Sequence, residues 1–554
     1  MGSLKDEHGR SGKRDDDSQY SRNRGGAGTV FEKRHAFSLS AAGGSAFASP
    51  AVILLRCGYA RPGRAWRQKF TKIALLYTHK WLVRKHTAVC KTPDTLAGTP
   101  MWNLKIMDTN KPLYIALADA LERDIRSGVL QPGDRLPSHR ELAKAVGVTV
   151  TTITRAYAEA EKRNLITAMV GMGTFVAADA GVAASLVDTT VQNVKAVNMG
   201  LVHPLHGSEH YLEEVVGQVL ARGGLHRYVP YAFPQGHYGH RETGARWVAR
   251  FGVCASAETV VVTAGTQHAL HCIFSTLFEP GDRVAVEKYT YPGVKSAARA
   301  NGIRLEAVEM DAQGMLPESL DALCQRQAVK GLYTAGLVQN PTNSSMGPQR
   351  RLTLSEVIRR HGLLLLEDGV DAFLAEGGER TLSALLPEQS IFICGMAQAF
   401  YTGLRIAFVV APQAMCASIA QGVVDSIWMT PPLCAEIICE TINSGIADKI
   451  IAGKKSELDR RMALFKERLH GHSFVLDQRS MHVWLELTDG WTSTAFEQAT
   501  QRVGLQVYSS EKFTVGHMPP PNCVRLAISS PETMQTFRQG LDLLVLVLEG
   551  GHEA

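Results

Sequence analysis

Ser390-Ile391-Phe392-Ile393-Cys394 is an apolar run of strand length, and the chain continues Gly395-Met396-Ala397-Gln398-Ala399-Phe400-Tyr401-Thr402-Gly403-Leu404-Arg405. A segment leaving the end of a buried strand lies where α/β sheets bind ligands. Arg405 brings a guanidinium that can clamp a phosphate or carboxylate with two parallel hydrogen bonds. Gln398 brings an amide, whose nitrogen lone pair is delocalised into its carbonyl and forms no imine. No lysine occurs in the 118 residues from Gly331 to Asp448.

Working outward, short apolar strands alternate with helices from about Asn198 onward. Thr259–Thr263 precedes a helix over Gln267–Leu277, and Arg283–Val286, Gly331–Tyr333 and Leu363–Leu366 follow. The alternation predicts an α/β domain over 198–554 with a mainly parallel sheet. Leu541–Leu548 is too short to span a bilayer and reads as a closing core helix.

The informative residues fall at strand ends. Gly265-Thr266-Gln267 opens a helix whose backbone N–H groups suit an anion. Tyr291 follows the next strand and can stack on a flat ring, although taken alone it reads equally as core. Asp368 ends the Leu363–Leu366 strand, where a buried-strand pattern would place an apolar residue and where a carboxylate can hold a pyridine nitrogen protonated. Asn340, in Asn340-Pro341-Thr342, and Arg525, in Val524-Arg525-Leu526, complete the set.

Upstream, Leu113, Leu117, Leu121 and Ile125 recur every four residues as one helix face. Ser138-His139-Arg140-Glu141 is a capping box opening a second helix with Leu142, Ala145 and Val146 inward. Ile153, Ala156, Tyr157 and Ala160 form the inner face of a third helix. Leu165–Val170 and Thr174–Val176 then read as a hairpin around Gly171-Met172-Gly173. Three helices and a hairpin make a winged helix–turn–helix over 111–177, with Thr149, Thr151 and Thr152 placing hydroxyls at the start of the recognition helix. This stretch resembles a GntR-type DNA-binding domain through Gly133-Asp134-Arg135-Leu136-Pro137-Ser138 and Gly171-x-Gly173-Thr174-Phe175-Val176. The resemblance implies DNA contacts from Arg135, Arg140, the three threonines and Gly173. Val150 and Met172 stand where many relatives carry a basic residue.

Residues 178–197 lack a period and read as a linker. Residues 1–110 form an extension. Its first hundred residues carry 18 Lys/Arg against 7 Asp/Glu, a net +11 within a whole-chain +6, so the remainder sums to −5. That basicity reads as a disordered or spurious extension, with Met101 or Met107 as initiator, or as a basic arm on nucleic acid. Ten scattered cysteines without a C-x-x-C pair fit a reduced, cytoplasmic protein, and no apolar run is long enough for a membrane span.

Taken in order, Gly265-Thr266-Gln267, Tyr291, Asn340-Pro341-Thr342, Asp368, Gly403-Leu404-Arg405 and Arg525-Leu526 resemble fold-type I aminotransferases, which use pyridoxal 5′-phosphate (PLP). With the winged helix, the chain is identified as a member of the MocR group of GntR regulators. The resemblance implies an aminotransferase-like domain with a smaller C-terminal α+β subdomain, a homodimer, double-stranded DNA as partner and a small-molecule effector. It places Gly265, Thr266, Gln267 and Arg405 at the cofactor phosphate, Tyr291, Asn340 and Asp368 at its ring, and Tyr231 at the phosphate of the partner subunit. Arg525 would take an effector carboxylate, and the Schiff-base lysine would fall at Gln398. Other departures are Ala397 for a phosphate-binding serine, Val370 and Asp371 where a tyrosine bonds the ring oxygen, and Asn343 for glycine. A regulator with an inert sensor domain is therefore expected. A transaminase with a DNA-binding accessory and a ligand-free dimerisation scaffold are the alternatives.

Overall fold

The computed structural model describes residues 111–126, 129–130, 134–163, 165–169, 173–177, 196–375, 380–488, 490–516 and 520–550. The expectations for the extension, the turn at 131–133, the wing tip at 170–172 and the linker through residue 195 fall outside them.

The N-terminal part contains α1 (Leu113–Arg126), β1 (Arg135–Leu136), α2 (His139–Val146), α3 (Val150–Lys162), β2 (Ile166–Met169) and β3 (Gly173–Val176). The strands pair in the order β1-β3-β2, all antiparallel, giving the wing expected from the sequence. Ser138 caps α2 reciprocally: its Oγ accepts from Glu141 N–H while its own N–H donates to Glu141 at 2.8 Å. Gly147 ends α2 at φ +73°, a left-handed stop that glycine adopts without a Cβ clash. Leu117, Leu121, Leu142, Ile153, Ala156 and Tyr157 share one core. Within α2 the sequence put Ala145 inward, but Ala143 is buried and Ala145 exposed. The inward arc of this two-turn helix centres on Leu142, and Ala143 lies beside it.

In the C-terminal part a seven-stranded sheet is built from β4 (Val260–Thr263), β5 (Arg283–Glu287), β6 (Arg304–Val308), β7 (Gly331–Thr334), β8 (Leu364–Asp368), β9 (Ser390–Gly395) and β10 (Ala407–Val410). Its order is β4-β10-β9-β8-β7-β5-β6, and β10 alone runs antiparallel to its neighbours. Every residue of β4, β7, β9 and β10 is buried, as expected for strands covered on both faces. Helices α4 (Thr266–Leu277), α5 (Pro292–Ala300), α6 (Pro317–Arg326) and α7 (Pro348–His361) connect strands, and α8 (Gln413–Ile427) and α9 (Pro432–Asn443) follow the sheet. The 23-residue α10 (Ile446–Arg468) then leads to a smaller antiparallel sheet of β11 (Phe474–Val475), β12 (His482–Glu486), β13 (Tyr508–Ser509) and β14 (Cys523–Ala527), in the order β11-β12-β14-β13. Helix α11 (Ser493–Arg502) lies between β12 and β13 along the chain. The closing helix α12 (Met534–Glu549) buries Leu541, Leu544 and Val547, as the apolar pattern predicted.

Val197–Asn198 pairs in parallel with Leu505–Gln506, so the folded C-terminal unit already includes Val197. This pairing draws the segment 199–203 against β14, where Ala527 N–H donates to Met199 O at 2.6 Å.

Candidate functional site

The C-terminal ends of β4, β8 and β9 meet, since a Cβ on Gly395 would stand 2.5 Å from Thr266 Oγ1 and 3.8 Å from Val370 Cγ2. Gly265 precedes α4 at φ +86° and is buried. The Arg405 guanidinium packs so close that a Cβ on Gly265 would stand 2.7 Å from Nη2. Arg405 itself sits at φ +53°, a left-handed conformation that costs a non-glycine residue roughly 1–2 kcal/mol. That backbone turn aims the cation at the start of α4, where unpaired N–H groups and the helix dipole favour an anion. Thr266 Oγ1 would stand 2.5 Å from a Cβ on Gly395, so β9 must end on glycine for this corner to close. Gln267 Nε2 donates to Gly293 O at 2.9 Å, tying the start of α4 to the start of α5, while Gln267 Oε1 is buried without a partner.

Asp368, at the end of β8, is buried and accepts from Tyr333 Oη at 3.1 Å through Oδ2, while Oδ1 has no partner. Burial pushes its carboxyl up to about 7, against the hydrogen bond from Tyr333. Tyr291 precedes α5, and burial and then Asp368 push its phenol up to about 12 while Arg525 and Arg405 pull it down. Tyr291 is therefore within electrostatic reach of the anion-binding corner, the carboxylate and the late arginine together.

Arg525, on β14, is 1% exposed and packs against the rings of Phe513 and Tyr508, with centroids 4.7 Å and 5.5 Å from its guanidinium carbon. Its Nη1 donates to Asn340 Oδ1 at 3.0 Å and its Nη2 to Gly200 O at 2.7 Å, leaving Nε without a partner. Asn343, which departs from the expected glycine, is accommodated: its φ of +60° suits asparagine, and its side chain donates to His482 O at 2.8 Å and Val475 O at 3.1 Å.

Gln398 turns its amide nitrogen onto Val202 O at 3.0 Å, and its Oε1 is buried without a partner. Its backbone carbonyl accepts from Lys454 Nζ, on α10, at 2.9 Å. Burial draws the Lys454 ammonium down to about 7. Asp371, one turn past Asp368, is half-buried. Its carboxyl is raised to about 7 by burial and by Asp368, against the pull of Arg525.

Close approaches, hydrogen bonds and electrostatic influence thus link Gly265, Thr266, Gln267, Tyr291, Asn340, Asp368, Arg405 and Arg525 into one cluster. Tyr231 stands apart, 80% exposed, with its ring 5.6 Å from that of Trp428. Sequence reasoning missed Tyr333, Lys454 and the segment around Gly200. Tyr333 sits in an otherwise unremarkable strand, and Lys454 is separated from Gln398 by 56 residues.

The orphaned acceptor of Asp368 and the Gly265–Arg405 corner fit the two ends of a pyridoxyl phosphate, a protonated ring nitrogen and a phosphate. They would hold its ring and anion, and the cofactor when bound supplies an electron sink. The covalent attachment point does not fit, because position 398 offers an amide.

In the N-terminal part, Thr149 caps α3. Its Oγ1 accepts from Thr152 N–H at 3.2 Å and lies 2.8 Å from the Thr152 hydroxyl. Thr151 and Arg140 are exposed. Arg135, also exposed, lies over Gly173, where a Cβ would stand 3.1 Å from Nε.

Fold and pocket define a winged helix joined to an aminotransferase-type domain, and comparison with known proteins agrees. The family of aminotransferases of class I and II matches residues 195–541, and the gntR family of bacterial regulatory proteins matches residues 113–176. The chain belongs to the GntR-type regulators that carry a class I and II aminotransferase domain. It is 30% identical over 457 residues to the uncharacterized HTH-type transcriptional regulator YdeF of Bacillus subtilis, covering 82% of this chain and 99% of that protein. It is 26% identical over 335 residues to the HTH-type transcriptional regulator TauR of Rhodobacter capsulatus, covering 55% and 68%. Among solved structures, an archaeal alanine:glyoxylate aminotransferase superposes with a TM-score of 0.62 at 24% identity, over 71% of this chain and 99% of that one. LysN, the α-aminoadipate aminotransferase of Thermus thermophilus, gives 0.59 at 20%, over 64% and 92%. These two share the fold.

Proposed function

We propose that this protein is a cytoplasmic, homodimeric regulator that binds operator DNA through its winged helix. Its aminotransferase-like domain holds a PLP-class phosphate reversibly as a signal, without transaminase turnover. The observation that carries the reading is Gln398: the residue at the lysine position is an amide bonded to Val202 O, within a cradle that keeps Asp368, Tyr291 and Arg405. A transaminase needs the amine as Schiff-base partner and proton carrier. Arg135, Arg140, Thr151 and the N-terminal N–H groups of α3 are the groups offered to phosphates and base edges, while Thr149 and Thr152 shape the cap that presents them.

A dimer is supported by the exposed apolar side chains of Val229, Tyr231, Phe233 and Trp428, which expose 83, 80, 77 and 57% of their surface. A cluster of this kind marks a surface that a partner covers. It also suits Tyr231 as a residue that reaches the other protomer's phosphate corner. The test is retention of DNA from the gene's own upstream region, with and without PLP. Selective binding that changes with ligand supports the reading, and equal binding to unrelated DNA overturns it.

A further inference from the structure

From Met199 to His203 the chain forms neither helix nor strand. Asn198 Oδ1 accepts the Gly200 and Leu201 N–H groups at 3.0 and 3.3 Å. Four consecutive carbonyls then each accept from a different side chain. Gly200 O accepts from Arg525 Nη2 at 2.7 Å, Leu201 O from Ser530 Oγ, Val202 O from Gln398 Nε2 at 3.0 Å and His203 O from Ser529 Oγ at 2.5 Å. Carbonyls outside a sheet ladder need partners of another kind, and here the four side chains fix where the segment lies. Ser529 and Ser530 belong to a stretch held by Arg461, on α10, whose Nη1 donates to Ile528 O, Ser529 O and Pro531 O at 2.9, 3.2 and 2.8 Å. Gln398 and Arg525 belong to the candidate site, and each keeps one buried polar atom without a partner, Oε1 and Nε.

Resting on the reading above that a PLP-class ligand alters operator binding, we propose that residues 199–203 are the strap that carries this signal toward the winged helix. The chain enters the C-terminal part through this segment, and residues 178–195 join it in sequence to the DNA-binding domain. A ligand that pairs with Gln398 Oε1 or Arg525 Nε stabilises that side chain where it now holds the strap. A ligand shifts an equilibrium toward the state it binds better, so occupancy tightens the strap. The coupling is reciprocal: loosening the strap weakens the ligand, even when the change is made at a residue the ligand does not touch. The amide at position 398 thereby acts as a positioning group, holding Val202 O.

The experiment is hydrogen–deuterium exchange of peptides covering 199–203, with operator binding measured in parallel, on the full chain with and without saturating PLP. It compares the wild type with Gln398→Leu and with the double variant Ser529→Ala and Ser530→Ala. PLP is expected to slow exchange of the wild-type strap about fivefold or more. Both variants should speed it by a similar factor without ligand, while exchange in β9 and β10 stays as in the wild type and shows that they are folded. The double variant should bind PLP several-fold more weakly and lose most of the operator response at saturation. Operator binding that responds to PLP while strap exchange does not overturns the inference and leaves the regulator reading standing. So does a double variant that keeps the full response, or strap exchange unchanged in both variants. Wild-type operator binding indifferent to PLP overturns the inference and the ligand-responsive reading together.

Discussion

Lys454 Nζ donates to the backbone carbonyl of Gln398 at 2.9 Å, so an amine from α10 braces the residue that the resemblance aligns with the Schiff-base lysine. Burial holds this amine at about 7 in the folded chain, below the ordinary lysine value of 10.5. The unfolded chain therefore binds more protons between about pH 7 and 10.5, and stability rises with pH across that window. Lys454→Met should flatten the rise. Denaturant unfolding of both proteins at about pH 7 and 9.5 measures it, and parallel pH dependence would contradict the assignment.

Gln398→Lys restores an amine at the pocket and removes the bond to Val202 O. If the cradle accepts a pyridoxyl ring, borohydride reduction with PLP should trap a covalent adduct at residue 398, and PLP affinity should rise about tenfold or more. The wild-type chain should give no adduct within residues 390–405, as read by peptide mass.

Arg405→Ala should weaken phosphate-bearing ligands by about ten- to a hundredfold, the range set by charge-assisted hydrogen bonds of roughly 1.5–3 kcal/mol. Ligands lacking phosphate should be unaffected. Calorimetry with the phosphorylated and dephosphorylated forms of one compound separates the two.

For Asp371 the sign is opposite to that of Lys454. Its folded value of about 7 lies above the ordinary 3.8, so the folded chain binds more protons between about pH 4 and 7 and stability falls as pH rises through that window. Asp371→Asn should raise the melting temperature at about pH 8 and change it little at about pH 4, which thermal unfolding at the two pH values reads directly.

Arg140→Ala and Arg135→Ala should each weaken operator binding and lower the slope of log affinity against log salt by about one, the mark of a lost phosphate contact. Tyr231→Glu combined with Trp428→Glu should shift the protein toward monomer in light scattering, because charges on the exposed apolar surface oppose its burial.

Most of the architecture was legible because its signals are local. The capping box at Ser138, the four-residue repeat of α1 and the largely apolar strands around Asp368 each declare themselves over a short run of sequence. Order along the chain, from Gly265 to Arg525, then specified the pocket. Long-range chemistry was not legible: the Tyr333–Asp368 bond joins neighbouring strands 35 residues apart, and the contacts of Gln398 with Val202 and Lys454 span 196 and 56. Ala145 was misplaced for a different reason: in a helix of eight residues, rotating the inward arc by one position leaves the apolar pattern almost unchanged.

The hydrogen bond from Gln398 to Val202 has a temporal consequence. A receptor that captures its ligand covalently keeps a memory of past exposure until that bond is broken. Here the side chain at position 398 is an amide, which forms no such bond and donates to Val202 O instead. Occupancy would follow the surrounding concentration from moment to moment, and the response would decay at the ligand's dissociation rate.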